Sequence, residues 1–157
     1  MSKDILDVGG FSIIRRLGTG ARSTIYLATD LEDDKQVALK RIIFERPEDT
    51  RIFEQVETEY NIAVGIDHPY LRKCYKLRKI RSMFKVREML LSMEYFDGQS
   101  LEDCPSLSLG DVLLVFRMVA SGLGAMHQNG FVHCDIKPNN ILINKAGAIK
   151  IIDLGQR

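Results

Sequence analysis

The sequence has few cysteines, and they lie far apart. Its 157 residues contain three, Cys74, Cys104 and Cys134, and no two of them have the CxxC spacing of a zinc or redox site. An odd number of widely separated cysteines favours a reducing compartment over a disulfide framework. We therefore expect three free thiols in a cytoplasmic protein.

The sequence also lacks a long apolar run and an excess of either charge. The amino terminus, MSKDILDVGG, has no apolar stretch typical of a signal peptide. No run of about 18 apolar residues follows it, so we expect no membrane-spanning segment. Lys and Arg number 22 against 21 Asp and Glu, a formal net charge of +1. This balance gives no overall field for nucleic acid or membrane, so we expect neither as a partner.

Apolar runs and turn residues predict an antiparallel meander of five strands with one helix. The helix covers residues 48–66, after Pro47. The five strands cover residues 11–17, 24–28, 37–42, 71–80 and 88–93. Residues 72–87, which form the turn between the last two strands and its flanks, are locally basic, which suits either a solvated, edge-protecting surface or a docking site for an acidic partner.

A second helix is predicted from a capping-box-like start at Ser108-Leu109-Gly110-Asp111. Apolar residues recur along it at spacings of three and four, which gives one apolar stripe closed by a structural histidine. The stripe consists of Leu113, Phe116, Ala120, Leu123 and His127.

The segment FVHCDIKPNNILIN, residues 131–144, concentrates polar side chains between two strand-like runs, 141–143 and 149–152. Asp135, Lys137 and Asn140 are spaced by two and three residues around Pro138, so a regular helix is not expected. A carboxylate, an ammonium group and a carboxamide that converge on a loop indicate a functional site.

A glycine-containing loop, Gly18 to Ile25, falls between two strands of one hairpin. Gly18 and Gly20 suit a close backbone approach and positive φ, which would direct amide groups at phosphate oxygens. An ordinary hairpin turn is the alternative. In the predicted strand 37–42, Ala38 and Lys40 share one face because side chains repeat every two residues. Lys40 could reach phosphates from this face; the alternative is a lysine at a strand end that reaches solvent.

Glu59 lies in the apolar stripe that Ile52, Val56 and Ala63 form on the first helix. A lone acid in such a stripe needs a cation, and Lys40 is the candidate partner. Glu57 is a rival, because Phe53, Tyr60 and Val64 bracket it in the same way.

Five segments, taken in order, resemble those of protein kinases. Gly18–Ile25 resembles the glycine-rich loop, Val37-Ala38-Leu39-Lys40 the VAIK strand, and Met93–Gly98 the linker between lobes. His133–Asn140 resembles the catalytic loop, and Asp153-Leu154-Gly155 the DFG triplet. The resemblance implies an α+β, protein-kinase-like fold: a five-stranded antiparallel sheet with one helix, then a partial helical carboxy-terminal lobe. It implies an extension over residues 1–10, an amino-terminal lobe over 11–94, and the hinge and partial lobe over 95–157.

By this resemblance Asp135 takes the substrate's proton, Lys137 contacts the transferring phosphoryl group, and Lys40 pairs with Glu59. Asn140 and Asp153 hold Mg²⁺, and ATP is the nucleotide. The implied nucleotide-binding residues are Leu17, Gly18, Thr19, Gly20, Ala21, Ser23, Ile25, Ala38, Lys40, Met93, Glu94, Phe96, Ser100, Asn140, Leu142 and Asp153.

Three positions depart from the family pattern. Ser23 replaces the third glycine, and Ser100 stands where many relatives place an acid for the ribose. Cys134 replaces the arginine that in relatives pairs with a phosphorylated activation loop, so we expect no switching of that kind. We expect Cys134 to be a small buried cysteine, with a redox-active thiol beside the catalytic aspartate as the alternative.

Lys137 followed by Pro138 resembles serine/threonine kinases, so Ser or Thr hydroxyls are the expected acceptors; the protein substrate is unknown. The chain stops at Arg157, two residues past Gly155, before the activation segment of the family. We therefore expect weak activity or none from this chain alone, with a non-catalytic ATP-binding or interaction module as the alternative and a small-molecule kinase as a third. The stripe on the second helix would be uncovered, and we expect a partner chain to cover it.

Overall fold

The structure is a computed structural model that describes residues 7–20, 22–44 and 50–155. Within them it contains nine strands, two α-helices and one turn of 3-10 helix at Pro138–Asn140. The elements are β1 Asp7–Val8, β2 Phe11–Thr19, β3 Ser23–Asp30, β4 Lys35–Ile43, α1 Thr50–Gly65, β5 Cys74–Ser82, β6 Lys85–Glu94, β7 Gln99–Ser100, α2 Leu109–Gln128, β8 Ile141–Ile143 and β9 Ile149–Ile151. The predicted start of the first helix, residues 48 and 49, lies outside the described residues.

The chain divides into two compact units. One comprises Met1–Glu54 with Cys74–Tyr95, and the other comprises Gln55–Lys73 with Phe96–Arg157. The predicted division into functional lobes, 11–94 and 95–157, stays a prediction.

The first unit is an antiparallel sheet of six strands in the order β1-β2-β3-β4-β6-β5. The predicted α+β class is confirmed, but the number of strands is six instead of five, because Asp7–Val8 adds a short strand to β2. The predicted meander is also wrong at its end, since β6 lies between β4 and β5. Residues 89–93 of β6 are all 0% exposed, so this strand suits the interior of a sheet, whereas the basic strand β5 suits an edge.

The sheet of the first unit curls around a core on one of its faces. Phe11, Ala28, Val37, Leu39 and Leu90 form that core together with Val8. The curl brings the edge strand β5 to the start of β2. There Arg78 donates from Nη1 to the Gly9 carbonyl at 2.8 Å, and its guanidinium lies 5.1 Å from the centre of the Phe11 ring. The basic strand is therefore tied to the opposite end of the sheet.

The second unit contains a small antiparallel sheet, β7-β8-β9, with α2 packed on β9. Strands β8 and β9 match the two predicted apolar runs, 141–143 and 149–152, which follow the site loop. Gly122 allows the close approach of α2, because a Cβ atom there would lie 2.8 Å from Cδ1 of Ile151. Leu71 forms a parallel bridge with Ile151 and completes this side of the core.

Helix α2 begins as predicted and is apolar on two faces. Ser108 caps it, accepting from the Asp111 amide at 3.2 Å and donating to the Asp111 carboxylate at 2.6 Å. Its buried residues are Val115, Val119, Gly122 and Met126. The predicted stripe lies on the other, unpacked face, as expected for an uncovered stripe: Leu113 is 62% and Phe116 68% exposed. The predicted structural histidine, His127, is exposed as well.

Helix α2 is also long and apolar enough to cross a membrane, by length and composition only. No membrane-spanning segment was predicted from the sequence, because that prediction required an uninterrupted apolar run. Asp111 and Arg117 interrupt the apolar residues of this helix. Length and composition do not distinguish a membrane-spanning helix from a core helix. These two properties of α2 therefore decide nothing about a membrane.

Candidate active site

The register of the first unit places several predicted nucleotide-binding residues in adjacent rows. Gly18 pairs with Ile25, and Ile25 pairs with Lys40. In a parallel row, Ala38 pairs with Met93. Because directly paired residues point to the same face of a sheet, Ile25, Lys40, Ala38 and Met93 share one face. This is the face opposite the core that contains Val37 and Leu39.

The glycine-rich loop differs from its prediction in backbone conformation. Neither Gly18 nor Gly20 has a positive φ, since Gly18 lies within β2 and the left-handed glycines are elsewhere. The prediction of positive φ was therefore wrong. Gly20 donates to the Ser23 carbonyl at 2.8 Å, which closes a tight turn. A Cβ atom at Gly18 would meet nothing within 4 Å, so this strand remains open to close approach from one side.

The remaining loop residues occupy the ends of the two strands. Leu17, on β2, is 36% exposed. Thr19 pairs with Thr24 at the hairpin end. Ala21 lies outside the described residues.

The predicted linker residues divide between the units. Glu94 ends β6 and pairs with Val37. Phe96 belongs to the second unit, where its carbonyl accepts from the Gly98 amide at 3.0 Å. The prediction that the backbone groups of Glu94 and Phe96 bind adenine stays a prediction.

Ser100 and Leu142, both predicted to contact nucleotide, pair with each other across β7 and β8. The Ser100 hydroxyl donates to the Asp103 carboxylate at 2.7 Å, and the Asp103 amide donates back to Ser100 Oγ at 3.2 Å. An acid, Asp103, therefore lies within hydrogen-bond distance of the serine that stands where many relatives have an acid. The sequence reasoning missed Asp103, although the Ser-x-x-Asp spacing was its signal.

The loop from Phe131 to Asn140 is held by a buried histidine. His133 is 2% exposed, its Nε2 lies 2.9 Å from the Ile152 carbonyl, and its Nδ1 accepts from the Asp135 amide at 3.3 Å. These contacts require the Nε2–H tautomer, in which the first nitrogen donates and the second accepts. One ring thus ties the backbone before Asp153 to the backbone of Asp135. The sequence reasoning gave His133 no role beyond the motif.

Two predicted residues converge on the carboxylate of the third, Asp135. Lys137 Nζ lies 2.8 Å from Asp135 Oδ2, and Asn140 Nδ2 donates to the same oxygen at 3.1 Å. Asn140 also donates to the Asp135 carbonyl at 2.8 Å, and the 3-10 turn at Pro138–Asn140 places its side chain inward. The convergence predicted for this loop is therefore present.

These contacts change the acid–base properties of the pair. The hydrogen bond from Lys137 lowers the pKa of Asp135 below its ordinary value, and the positive charge of Lys137 and the Asn140 bond act in the same direction. The same hydrogen bond raises the pKa of Lys137, to which the negative charge of Asp153 contributes. Asp135 is therefore a carboxylate at neutral pH, able to accept a hydrogen bond from a hydroxyl group.

Asp153 and Asn140 were predicted to hold a metal ion. The Ile152 amide donates to the Asn140 carbonyl at 3.0 Å, which brings the residue before Asp153 beside Asn140. Among the hydrogen bonds of the described residues, Asn140 uses its side-chain nitrogen and not its side-chain oxygen. A carboxylate and a carboxamide oxygen fit Mg²⁺, which binds one or two protein carboxylates and completes its shell with phosphates and water. Within the described residues no group of three or more His, Cys, Asp or Glu side chains could hold a metal by itself.

Glu59 occupies the buried stripe of α1, at 5% exposed, whereas Glu57 is half-buried. Within the described residues, Glu59 forms an ion pair with Arg72, whose Nη2 lies 3.9 Å from Glu59 Oε1. Arg72 is itself 8% exposed, and its amide donates to the Ile151 carbonyl at 3.0 Å. The sequence reasoning counted Arg72 only among surface cations and so missed this contact. The pairing of Glu59 with Lys40 stays a prediction.

The expectation of a buried Cys134 is wrong. The three cysteines are free thiols as expected, but Cys134 is exposed. Its φ of 66° places the residue in the left-handed region, and its Sγ lies 3.6 Å from the Val132 carbonyl.

Comparisons with known proteins agree with this arrangement. The family model for the protein kinase domain matches residues 11–156. The chain is 32% identical over 151 residues to the serine/threonine-protein kinase PrkC of Bacillus subtilis, which covers 94% of this chain and 22% of that protein. It is 31% identical over 140 residues to the serine/threonine-protein kinase PknJ of Mycobacterium tuberculosis, which covers 87% of this chain and 23% of that protein.

A kinase from an animal is matched as well. Mitogen-activated protein kinase kinase kinase 4 of Mus musculus is 30% identical over 142 residues, which covers 89% of this chain and 8% of that protein. The chain thus spans less than a quarter of the length of each of these relatives. The family match, in contrast, covers nearly all of the chain. The chain therefore belongs to the protein kinase domain family, among the serine/threonine protein kinases.

Proposed function

We propose that this chain provides the ATP-handling and catalytic residues for transfer of the γ-phosphate of ATP to a Ser or Thr hydroxyl of a protein. The observation that carries the proposal is the carboxylate of Asp135, held on one oxygen by both Lys137 and Asn140. A carboxylate fixed in this way is suited to orient a hydroxyl group.

The proposed reaction assigns one task to each polar group. The substrate oxygen forms a bond to the γ-phosphorus while the bond from that phosphorus to the bridging oxygen of ADP breaks. Asp135 accepts the hydroxyl proton, and Lys137 offsets negative charge on the transferring group. Lys40, held by Glu59, contacts the α and β phosphates. Mg²⁺ on Asn140 and Asp153 would offset the charge of the phosphates when bound.

The test is transfer of labelled γ-phosphate from ATP to a serine-containing protein such as casein, in the presence of Mg²⁺. Loss of a general base typically lowers rates by about 100- to 10,000-fold, so we expect Asp135→Asn to abolish measurable transfer. Asp34→Asn is the matched control, because Asp34 is exposed and its φ of 52° suits asparagine. Equal activity of Asp135→Asn and Asp34→Asn would refute the proposal.

A second pair of variants tests the ion-pair partner of Lys40. Glu59→Gln is expected to reduce transfer, whereas Glu57→Gln, two residues away on the same helix and half-buried, is expected to leave it unchanged. If Glu57→Gln reduced transfer and Glu59→Gln left it unchanged, Glu57 would be the ion-pair partner of Lys40.

A non-catalytic ATP-binding module is the second candidate, favoured by the small part of each relative that the chain spans. In that case ATP raises the melting temperature, Lys40→Met reduces the rise, and no phosphate is transferred to any protein. We further propose a cytoplasmic location, which the three free thiols support.

We also propose that further polypeptide covers the exposed face of α2. The relatives are several times longer than the stretch matched here, so each contains chain beyond that stretch. Leu113 and Phe116, at 62% and 68% exposed, are the residues that such a chain would bury.

A further inference from the structure

The hairpin of β5 and β6 ends in a two-residue turn whose side chains point away from the protein. Met83 is 94% exposed and Phe84 96% exposed. No other large apolar side chain in the described residues is more than 76% exposed. Scattered single exposed apolar residues are ordinary, but two adjacent ones at this exposure form a distinct apolar tip.

The backbone of this tip is also unusual for its sequence. Ser82 pairs with Lys85, so Met83 and Phe84 are the two central residues of the turn. Met83 has a φ of 55°, and Phe84 is not in the left-handed region. This is the pattern of a type II′ turn, in which glycine is preferred at the first central position. The tip therefore exposes two large apolar side chains and places a methionine where glycine is preferred. Such departures from local preference concentrate at functional positions.

Positive charge surrounds the tip. Lys79, Arg81, Lys85 and Arg87 are all exposed, and residues 79–87 include no acid. Arg81, Lys85 and Arg87 form no ion pair with any residue that the structure describes. Strand residues rise about 3.4 Å each, so these three lie within about 10 Å of the tip along the chain. That distance is comparable with the Debye length of about 8–10 Å in physiological salt.

The cations of β5 that lie farther from the turn are paired with acids. Lys76 Nζ lies 2.8 Å from Asp30 Oδ2 and 2.8 Å from Glu32 Oε2, and Arg78 shares Glu32 at 2.9 Å. The cations at the base of β5 are thus neutralised, whereas Arg81, Lys85 and Arg87 near the turn form no ion pair within the part of the chain that the structure describes. The near-neutral charge of the whole chain conceals a local basic surface.

We propose that this hairpin tip inserts into the interface of a membrane that contains anionic lipids. The tip is convex and carries charge of one sign around two apolar side chains, which matches a surface with negative headgroups over an apolar interior. Lys and Arg side chains reach the headgroups with their charged ends while their stems lie along apolar surface. A protein partner would need a concave apolar pocket with an acidic rim. Composition predicted no membrane partner; the proposal concerns this tip alone and is independent of the phosphotransfer reaction.

The test is co-sedimentation of the whole chain with vesicles of phosphatidylcholine containing phosphatidylserine, compared with vesicles of phosphatidylcholine alone. Each cation near an anionic surface contributes about fivefold to binding, the equivalent of about 1 kcal/mol. We therefore expect Arg81→Glu with Lys85→Glu to weaken binding by at least about 25-fold. Arg117→Glu with Lys145→Glu changes the net charge equally and is expected to bind like the unaltered chain.

The apolar tip is tested by Met83→Gly with Phe84→Ser. Glycine suits the φ of position 83, so this variant is expected to fold, which circular dichroism checks. We expect it to lose binding to the anionic vesicles. Failure of the unaltered chain to bind them, equal binding to neutral vesicles, or equal losses in the two charge-reversed variants would each overturn the proposal. Binding to polyglutamate in place of vesicles would assign the tip to an acidic protein partner and overturn it too.

Discussion

The exposed face of α2 gives the most quantitative prediction for this chain. Phe116 is 68% exposed, so about one third of its side chain is buried. Truncating a fully buried Phe to Ala destabilises proteins by about 3–5 kcal/mol, and one third of that is about 1–1.7 kcal/mol. Alanine also favours the helix by roughly 0.5 kcal/mol over Phe. We therefore expect Phe116→Ala to lower the free energy of unfolding by about 1 kcal/mol or less.

The matched control lies on the other face of the same helix. Met126 is 0% exposed, and truncation of a buried Met to Ala destabilises by about 2–5 kcal/mol. Urea unfolding followed by circular dichroism, at low and high protein concentration, measures both variants. If Phe116→Ala proved as destabilising as Met126→Ala at every concentration, Phe116 would lie in the chain's own core, and the reasoning would be wrong. A loss that grows with concentration would show a second copy covering this face.

Three further predictions concern the cap, the catalytic loop and the DLG segment. Ser108→Ala removes the α2 cap and should lower the free energy of unfolding by about 1 kcal/mol in urea; no change would show that the cap contributes nothing. Lys137→Met should raise the pKa of Asp135 toward its ordinary value of 3.8, read by carbon-13 NMR of the carboxyl group. The stability that ionised Asp135 contributes is present above that value and lost as pH falls through its lowered folded pKa. Because Lys137→Met brings the folded pKa back toward 3.8, this pH-dependent loss of stability should become smaller. Gly155→Ala should destabilise by about 1–3 kcal/mol, because φ there is 77° and a Cβ atom would lie 2.5 Å from Cδ1 of Ile62; an unchanged urea midpoint would contradict this packing.

The catalytic loop could be predicted from local sequence because its geometry is local. Asp135, Lys137 and Asn140 lie within six residues of one another around Pro138, so a loop conformation brings their side chains together. His133 shows where this reasoning stops. Its two contacts join the loop to Ile152, and a histidine in a sequence does not reveal which distant carbonyl it will meet.

The glycine-rich loop shows a different limit. Its place at the end of one hairpin was correctly predicted, because turn residues and apolar runs report local structure, although both ends of the predicted loop lie within β2 and β3. The positive φ assigned to Gly18 and Gly20 was wrong, since a glycine permits that conformation without requiring it. Gly155 and Gly130 adopt it instead.

By itself the sequence determined the elements that depend on neighbouring residues: the strands β2 to β6, β8 and β9, the Ser108 cap and the polar loop at 131–144. Tertiary structure alone decided which strand lies inside the sheet, which face of α2 is packed, and which cation meets Glu59. These outcomes depend on contacts between residues far apart in the chain. Two apolar faces on one helix look equivalent in sequence, and the packing of the buried face, including Gly122 against Ile151, selects between them.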